Sequence, residues 1–275
     1  RLAFDAAEAG ESRKIFLEDV ALRKVEEIWW PDLYFVNSSG PPAIERQELI
    51  IFSDGTVVHE QRVRVSLKSK LDLTRFPFDR QKLEIEIESF AWPAHELVLH
   101  LDSEKTGMAD VFNTPPWRVT NYNVEIRSKR EIRDRDAFSE FVMVVETARI
   151  AMPFVYRLMI PLVLVVIASW SVFWLRPTST GRFGVTFTAI LTVVAFNFIV
   201  TGKLPSVPEL TYLEALFGLS FILLLLVVVE NTIIDHLTGA ERFQAAVRTD
   251  RISRVLFPLL YVASIAMVTL AFGIV

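Results

Sequence analysis

The chain has 275 residues, and its 29 Lys and Arg against 33 Asp and Glu give a formal net charge of −4. This acidic balance argues against a nucleic-acid-binding protein, which needs clustered basic side chains. Because the chain has no cysteine, disulfides and thiolate metal sites are excluded. We expect neither a metal ion nor a cofactor.

Charge is distributed unevenly along the chain. Residues 1–150 carry 21 basic and 27 acidic side chains, whereas residues 151–275 carry only 8 and 6. The change predicts two domains, a water-exposed one over residues 1–149 and a membrane domain over residues 150–275. The opening RLAFD resembles the second half of a strand, so we expect N-terminal strands to be missing before it.

The first domain has the period-two alternation of β-strands. In KLEIEIE, for example, Leu83, Ile85 and Ile87 alternate with glutamates. Turn-forming sequences such as SDGT and SSGPP separate the strands. About seven to nine short strands predict a β-sandwich. The alternating segments are QELIIF, GTVVHEQRVRVSL, KLEIEIESF, HELVLHL and FVMVVETARI.

The second domain contains four apolar segments, each long enough to cross a hydrocarbon core of about 30 Å. They are predicted at about 153–175, 182–202, 211–234 and 254–275. Arginines concentrate in the loops that join the first segment to the second and the third to the fourth, whereas Lys203 is the one basic residue between the second and third. The positive-inside rule therefore places the arginine-rich loops in the cytoplasm and both chain ends on the extracellular or periplasmic side.

The second apolar segment has a polar side. Five of its uncharged residues recur at steps of three and four, which places them on one helical face. They are Gly184, Thr188, Leu191, Ala195 and Phe198. Hydroxyl groups gain nothing from lipid, so this face is predicted to contact water, as a pore wall does, or other helices. Four packed helices without a pore are the alternative.

The segment RFPFDRQ at 75–81 connects these features to a family. Taken alone, it predicts a rigid hairpin turn in which Pro77 fixes the backbone beside Asp79. The motif resembles the signature loop of the pentameric ligand-gated ion channels, the Cys-loop receptor superfamily. Ser69 and Leu83, with thirteen residues between them, stand where the animal members carry paired cysteines, as in the cysteine-free bacterial members.

Further motifs follow in the order of that family. IWWPD at 28–32 resembles its first ligand-loop motif, and Arg149 resembles the basic residue before its first membrane helix. LTVVAFN and KLPSVP resemble its second helix and the linker that follows. The resemblance covers nearly the whole chain. It implies an α+β multidomain membrane protein with an extracellular β-sandwich, a four-helix transmembrane bundle and assembly as a homopentamer.

The resemblance also implies that the second helix of each of five subunits lines a central pore. Leu191 is then expected to form an apolar ring that closes the pore by excluding water. Arg182 is expected at the cytoplasmic mouth, although it could instead extend to the membrane interface without reaching the lumen. From that mouth outward, the predicted pore positions are Thr180, Arg182, Gly184, Thr188, Leu191, Ala195 and Phe198.

Charge selectivity is not decided by the residues next to Arg182. Cation-selective members usually carry a glutamate ring there and anion-selective members often carry Pro-Ala, but this chain has Thr180 and Gly181. The acidic excess of the first domain would concentrate cations near the pore. We therefore expect monovalent cations to permeate, with an anion-selective channel of the same fold as the alternative.

An agonist site between neighbouring outer domains is implied as well. Its expected residues are Glu88, Phe90 and Trp92 of the second ligand loop and Phe138 of a capping hairpin at about 127–139. Aromatic faces beside a carboxylate suit a cationic ligand, although aromatic residues in a β-sandwich commonly belong to its core. Gating by protons is the second possibility, because histidine and perturbed carboxylates titrate in the useful range.

Coupling between the domains is expected at four residues, Pro77, Asp79, Arg149 and Pro205. Asp79 and Arg149 occupy positions that pair in relatives, and Pro205 follows the pore helix. We expect ligand binding to shift the sandwich, move Pro205 and tilt that helix. Asp79→Asn should then impair gating and leave assembly intact.

Other functional classes have less support. No HExxH, glycine-rich phosphate loop or GxSxG motif indicates an enzyme, and no inverted repeat indicates a transporter. A membrane-anchored β-sandwich that binds a partner without conducting ions is the remaining alternative. It would need one membrane segment rather than four.

Overall fold

The computed structural model describes residues 13–109, 116–130, 136–202 and 209–274. They form two compact units. The first comprises the described residues of Arg1–Lys70, Lys82–Phe112 and Val119–Glu146, and the second those of Leu71–Gln81, Asn113–Arg118 and Thr147–Val275. The opening segment RLAFD and Pro205 lie outside the described residues.

The β-strands in the described part of the chain form two sheets. One has the order β1–β3–β4 and the other β2–β5–β7–β6. The pairs β1–β3, β3–β4 and β2–β5 are antiparallel, and β2–β5 places Tyr34 opposite Glu88. The strands are β1 (Arg13–Leu17), β2 (Leu33–Phe35), β3 (Ala43–Phe52), β4 (Val57–Arg64), β5 (Arg80–Ser89), β6 (Trp117–Arg130) and β7 (Ala137–Arg149).

Two predictions for the β domain are wrong. A helix, α1 (Glu18–Glu26), interrupts the expected all-β pattern, because Ala21 and Val25 lie one turn apart and pack against Leu49. HELVLHL does not form a strand. Its start is a turn closed by the carbonyl of Pro93, and the Leu99 N–H donates to the Ser139 hydroxyl at 2.9 Å instead of to a strand carbonyl.

The described residues of the second unit contain four helices long and apolar enough to cross a membrane. They are α2 (Met152–Trp174), α3 (Gly181–Thr201), α4 (Tyr212–Gly239) and α5 (Phe243–Ala271). A π-helical turn at Val155–Met159 precedes Pro161 in α2, which is a common way to accommodate a proline that donates no hydrogen bond. The helix α5 begins at Phe243, before the membrane segment predicted from about 254, so its charged first turns precede that segment.

The segment Leu71–Gln81, which contains RFPFDRQ, belongs to the helical unit. Leu73 and Phe76 are 2% and 1% exposed and share one apolar core with residues of α2, α3 and α4. The Tyr212 N–H at the start of α4 donates to the Thr74 carbonyl at 2.8 Å, and the Tyr212 ring meets Phe78 edge-on at 5.9 Å between centroids. We call Leu71–Gln81 the coupling loop.

Candidate functional site

The helix α3 has an exposed face and a buried face. The exposed face carries the predicted stripe, Gly184, Thr188, Leu191, Ala195 and Phe198, and Leu191 and Phe198 are 69% and 73% exposed. Thr180, just before the helix, is also exposed. The buried face carries Arg182, Thr186, Ala189 and Val193, also at steps of three and four. The stripe is therefore exposed in a single subunit, on the side of α3 that the bundle does not cover.

Two threonine hydroxyls on or beside the stripe are bonded within the helix. Thr188 Oγ1 donates to the Gly184 carbonyl and Thr192 Oγ1 to the Thr188 carbonyl, each at 2.8 Å. Because their protons are already used, these hydroxyls do not require water, which weakens the argument that polarity alone demands a wet face. The evidence for a pore wall is therefore the exposure of the whole stripe.

Arg182 does not face the predicted lumen. Its side chain is buried, with 2% of the residue exposed, on the face of α3 opposite Leu191. The predicted pore position is wrong for this residue, and so is the alternative of an extended side chain at the membrane interface. The reason is a set of acceptors inside the bundle that binds the guanidinium from three other helices.

The acceptors around Arg182 include two carboxylates. Arg182 Nη2 lies 2.8 Å from Asp250 Oδ1 and 3.0 Å from Glu230 Oε2. Arg182 Nε donates to Asn231 Oδ1 at 3.0 Å, and Nη1 donates to the Val172 carbonyl at 2.9 Å. We call Arg182, Glu230 and Asp250 the charge cluster. The carboxylates were visible in the sequence as charges at the edges of apolar segments, where a partner is expected.

The predicted pair Asp79–Arg149 is formed within the helical unit. Arg149 Nε lies 2.7 Å from Asp79 Oδ1, and Arg149 Nη2 donates to Oδ2 at 3.1 Å. Gln81 donates to the same Oδ2 at 2.7 Å, and the guanidinium lies 4.0 Å from the centroid of the Trp117 ring. A buried, two-pronged ion pair of this kind is strong and directional. Pro77, also buried, follows a cis peptide bond.

The predicted ligand residues separate into accessible and buried ones. Phe90 is 59% exposed and meets Tyr34 edge-on at 5.8 Å, and Trp92 is half-buried with its Nε1 donating to the Trp30 carbonyl at 3.1 Å. Glu88 is fully buried behind Tyr34, whose hydroxyl donates to it. Phe138, at 2% exposure, belongs to the core, so its prediction as a surface ligand contact is wrong.

His59 was not among the predicted site residues, yet its setting is unusual. This residue of β4 borders a cavity of about 550 Å³ in the first unit, together with Trp29, Trp30, Val57 and Leu97. Its Nε2 atom is buried and has no hydrogen-bond partner among the described residues. Burial lowers the pKa of His59 below its ordinary value of 6.5, because a charged imidazolium is poorly solvated among apolar side chains.

We expect this shift to make the first unit less stable in acid. Since the folded-state pKa of His59 lies below the unfolded-state pKa, the unfolded chain binds the proton more readily, and folding stability falls as the pH drops below 6.5. His59→Gln should reduce the loss of melting temperature between about pH 7.5 and about pH 5. His95→Gln, which changes an exposed histidine, should leave that loss of melting temperature unchanged. Equal losses in both variants and the wild type would contradict the assignment of the acid sensitivity to His59.

The sequence of the chain is similar to those of known proteins. The sequence profile described as the neurotransmitter-gated ion-channel ligand binding domain matches residues 1–150. The chain is 25% identical over 274 residues to the proton-gated ion channel of Gloeobacter violaceus, covering 99% of the chain and 74% of that protein. It is 28% identical over 246 residues to the gamma-aminobutyric acid receptor subunit rho-3 of Rattus norvegicus, covering 84% of the chain and 51% of the subunit.

A second receptor subunit matches the chain at a similar identity. The beta subunit of the gamma-aminobutyric acid receptor of Lymnaea stagnalis is 25% identical over 220 residues, with 77% of the chain and 43% of the subunit covered. The chain thus spans about three quarters of the bacterial relative and about half the length of the animal subunits that it matches.

Proposed function

The chain belongs to the neurotransmitter-gated ion-channel family, the pentameric ligand-gated ion channels, and on that premise we propose that it is the subunit of a homopentameric, cation-conducting channel whose pore is lined by α3. The family is not enzymatic. Its members are multi-pass membrane proteins with an extracellular ligand-binding domain, and the four apolar helices of this chain agree with that. The chain lacks cysteine.

The observation that carries the proposal is the exposed stripe of α3. A lipid-facing helix needs no alignment of glycine, threonine and leucine on one side, whereas five such helices around an axis would place Leu191 in one ring. Leu191 is 69% exposed although it lies near the middle of the helix. An apolar ring in a narrow passage excludes water and therefore ions, so Leu191 is the proposed gate.

Cation conduction is supported by charge. The first domain carries an acidic excess of 27 over 21, which raises the local concentration of cations around it. The stripe itself carries no charge, and the one arginine on the first turn of α3 is turned away from it. No fixed positive charge of α3 therefore faces the proposed lumen.

The proposed stimulus is a small cationic ligand. Phe90 presents an exposed aromatic face beside Tyr34, and Glu88 behind them supplies a buried carboxylate. Such a site attracts an ammonium group through the aromatic quadrupole and the negative charge. Protons are the second candidate, favoured by the setting of His59, and the bacterial relative is named as proton-gated.

The proposed coupling element is the coupling loop. Asp79 and Arg149 tie it to the end of β7 immediately before α2, and the Thr74 carbonyl ties it to the start of α4. A displacement of β7 would therefore move the loop and α4 together. We keep Pro205, which follows α3 in sequence, as the proposed point where that motion reaches the pore helix.

Cysteine accessibility tests the pore assignment directly, because the chain has no cysteine of its own. We expect Thr188→Cys and Ala195→Cys to react with a charged thiol reagent in the open state and to lose most of their current. Ala189→Cys, which is 7% exposed on the opposite face of α3, is the matched control and should react slowly without loss of current. The same block at all three positions, or at none, would contradict a lining formed by the stripe.

A further inference from the structure

The charge cluster lies at the end of α3 that the sequence analysis assigns to the cytoplasmic mouth. Its three side chains are between 3% and 6% exposed, so water contributes little to their solvation. Asn231 extends the cluster, because it accepts from Arg182 Nε at 3.0 Å and donates to Thr186 Oγ1 at 2.9 Å. The guanidinium is therefore fixed on the inner side of α3.

The balance of charge in the cluster is not positive. One guanidinium faces two carboxylates, which gives a net charge of −1 when both carboxylates are ionised and zero when one carries a proton. Other basic side chains of α5 do not join the cluster: Arg248 and Arg251 are exposed, and Arg254 donates to the Phe173 carbonyl at 2.9 and 3.0 Å and lies over Trp174. The positive charge of Arg182 is therefore cancelled by Glu230 and Asp250.

The cluster is also close enough to the stripe to influence ions there. Arg182 lies two residues from Thr180 and two from Gly184, on the first turn of α3. The width of a helix with its side chains is roughly 10 Å, and charges are screened less in a protein interior than in water. An uncancelled charge at Arg182 would therefore change the potential at the exposed face on the same turn.

We propose that Glu230 and Asp250 are selectivity-determining residues, because they hold Arg182 away from the exposed face of α3 and cancel its charge, and thereby prevent the inner mouth from favouring anions. This inference rests on the proposed function, since it presupposes that α3 lines the pore. It assigns the sign of selectivity to residues of α4 and α5, neither of which carries the stripe.

The test is the reversal potential of reconstituted channels under a sodium chloride gradient. In Glu230→Gln/Asp250→Asn the guanidinium keeps hydrogen-bond acceptors but loses both cancelling charges. We expect the cation-to-anion permeability ratio to fall about tenfold or more. Asp235→Asn removes an exposed carboxylate from the same helix α4 and should leave the ratio unchanged.

Arg182→Gln separates a charge effect from a packing effect. Removing the positive charge leaves two carboxylates behind the pore wall, so the ratio should stay at the wild-type value or rise. A merely structural cluster would reduce assembly or current in both variants and would not lower the ratio in the carboxylate variant alone. If the double variant does not assemble, Glu230→Gln and Asp250→Asn alone should each shift the ratio toward anions by a smaller amount.

The outcomes distinguish this inference from the proposed function. If the wild type is cation-selective and the assembled carboxylate variants keep its cation-to-anion permeability ratio, the inference is overturned. The proposed function then still stands. A fall of the ratio in Arg182→Gln overturns it as well. A wild type that conducts no ions or prefers anions overturns the proposed cation channel and this inference together.

Discussion

Leu191→Ala is expected to make the channel leak in the absence of any stimulus. The substitution removes the branched side chain from the proposed ring at a position that is 69% exposed and packs against little within its own subunit. A wider, less apolar ring holds water, and a hydrated ion then passes. Because a barrier lower by about 1.4 kcal/mol gives a tenfold rate, we expect the resting conductance to rise at least about tenfold.

The matched control is Leu259→Ala on α5. Leu259 is 63% exposed, so the same chemical change is made at a similarly exposed site that does not belong to the stripe. Resting current per assembled pentamer, measured in planar bilayers, should rise for Leu191→Ala and stay at the wild-type level for Leu259→Ala. A silent Leu191→Ala would mean that the gate lies elsewhere on α3.

Asp79→Asn is expected to impair both gating and stability. The sequence alone predicted intact assembly, but Asp79 is 2% exposed and accepts from Arg149 and Gln81. Removing one partner of a buried ion pair leaves the other charge uncompensated, which typically costs about 3–5 kcal/mol. We therefore expect a lower melting temperature together with a right-shifted or abolished response to the stimulus.

Arg149→Lys tests the geometry of the same pair. Lysine keeps the charge but cannot form two parallel bonds to Asp79 or stack on Trp117 as a guanidinium does, so gating should be impaired with a smaller loss of stability. Asp102→Asn, which removes an exposed carboxylate 3.9 Å from Lys105, is the control and should change neither property. Normal activation of folded Asp79→Asn pentamers would remove the pair from the coupling mechanism.

The stripe of α3 was predictable because helical periodicity depends on local spacing only. The same spacing places Arg182 in line with Thr186, Ala189 and Val193, so its burial was readable too, once the buried face was considered. Its partners were not, since Glu230 and Asp250 lie 48 and 68 residues away in sequence. A pairing of that kind depends on how helices pack, which a single sequence does not reveal.

In the outer domain, alternation alone did not decide which segments form strands. Alternation predicted β3, β4, β5 and β7, but it also predicted a strand at HELVLHL. There the local turn at Pro93 and the bond from Leu99 to Ser139 take the backbone groups that a ladder would need. Similarly, an aromatic residue on a strand is either core or binding surface. Tertiary packing decides this, and it places Phe138 in the core and leaves Phe90 exposed.

The most direct measurement is the current carried by purified pentamers in planar bilayers. Reversal potentials would be recorded across a salt gradient while pH and small amines are varied. We predict stimulus-dependent currents that reverse close to the equilibrium potential of the cation. Correctly assembled pentamers that pass no current at any pH or with any amine tested would contradict the conclusion that this chain forms a cation channel lined by α3.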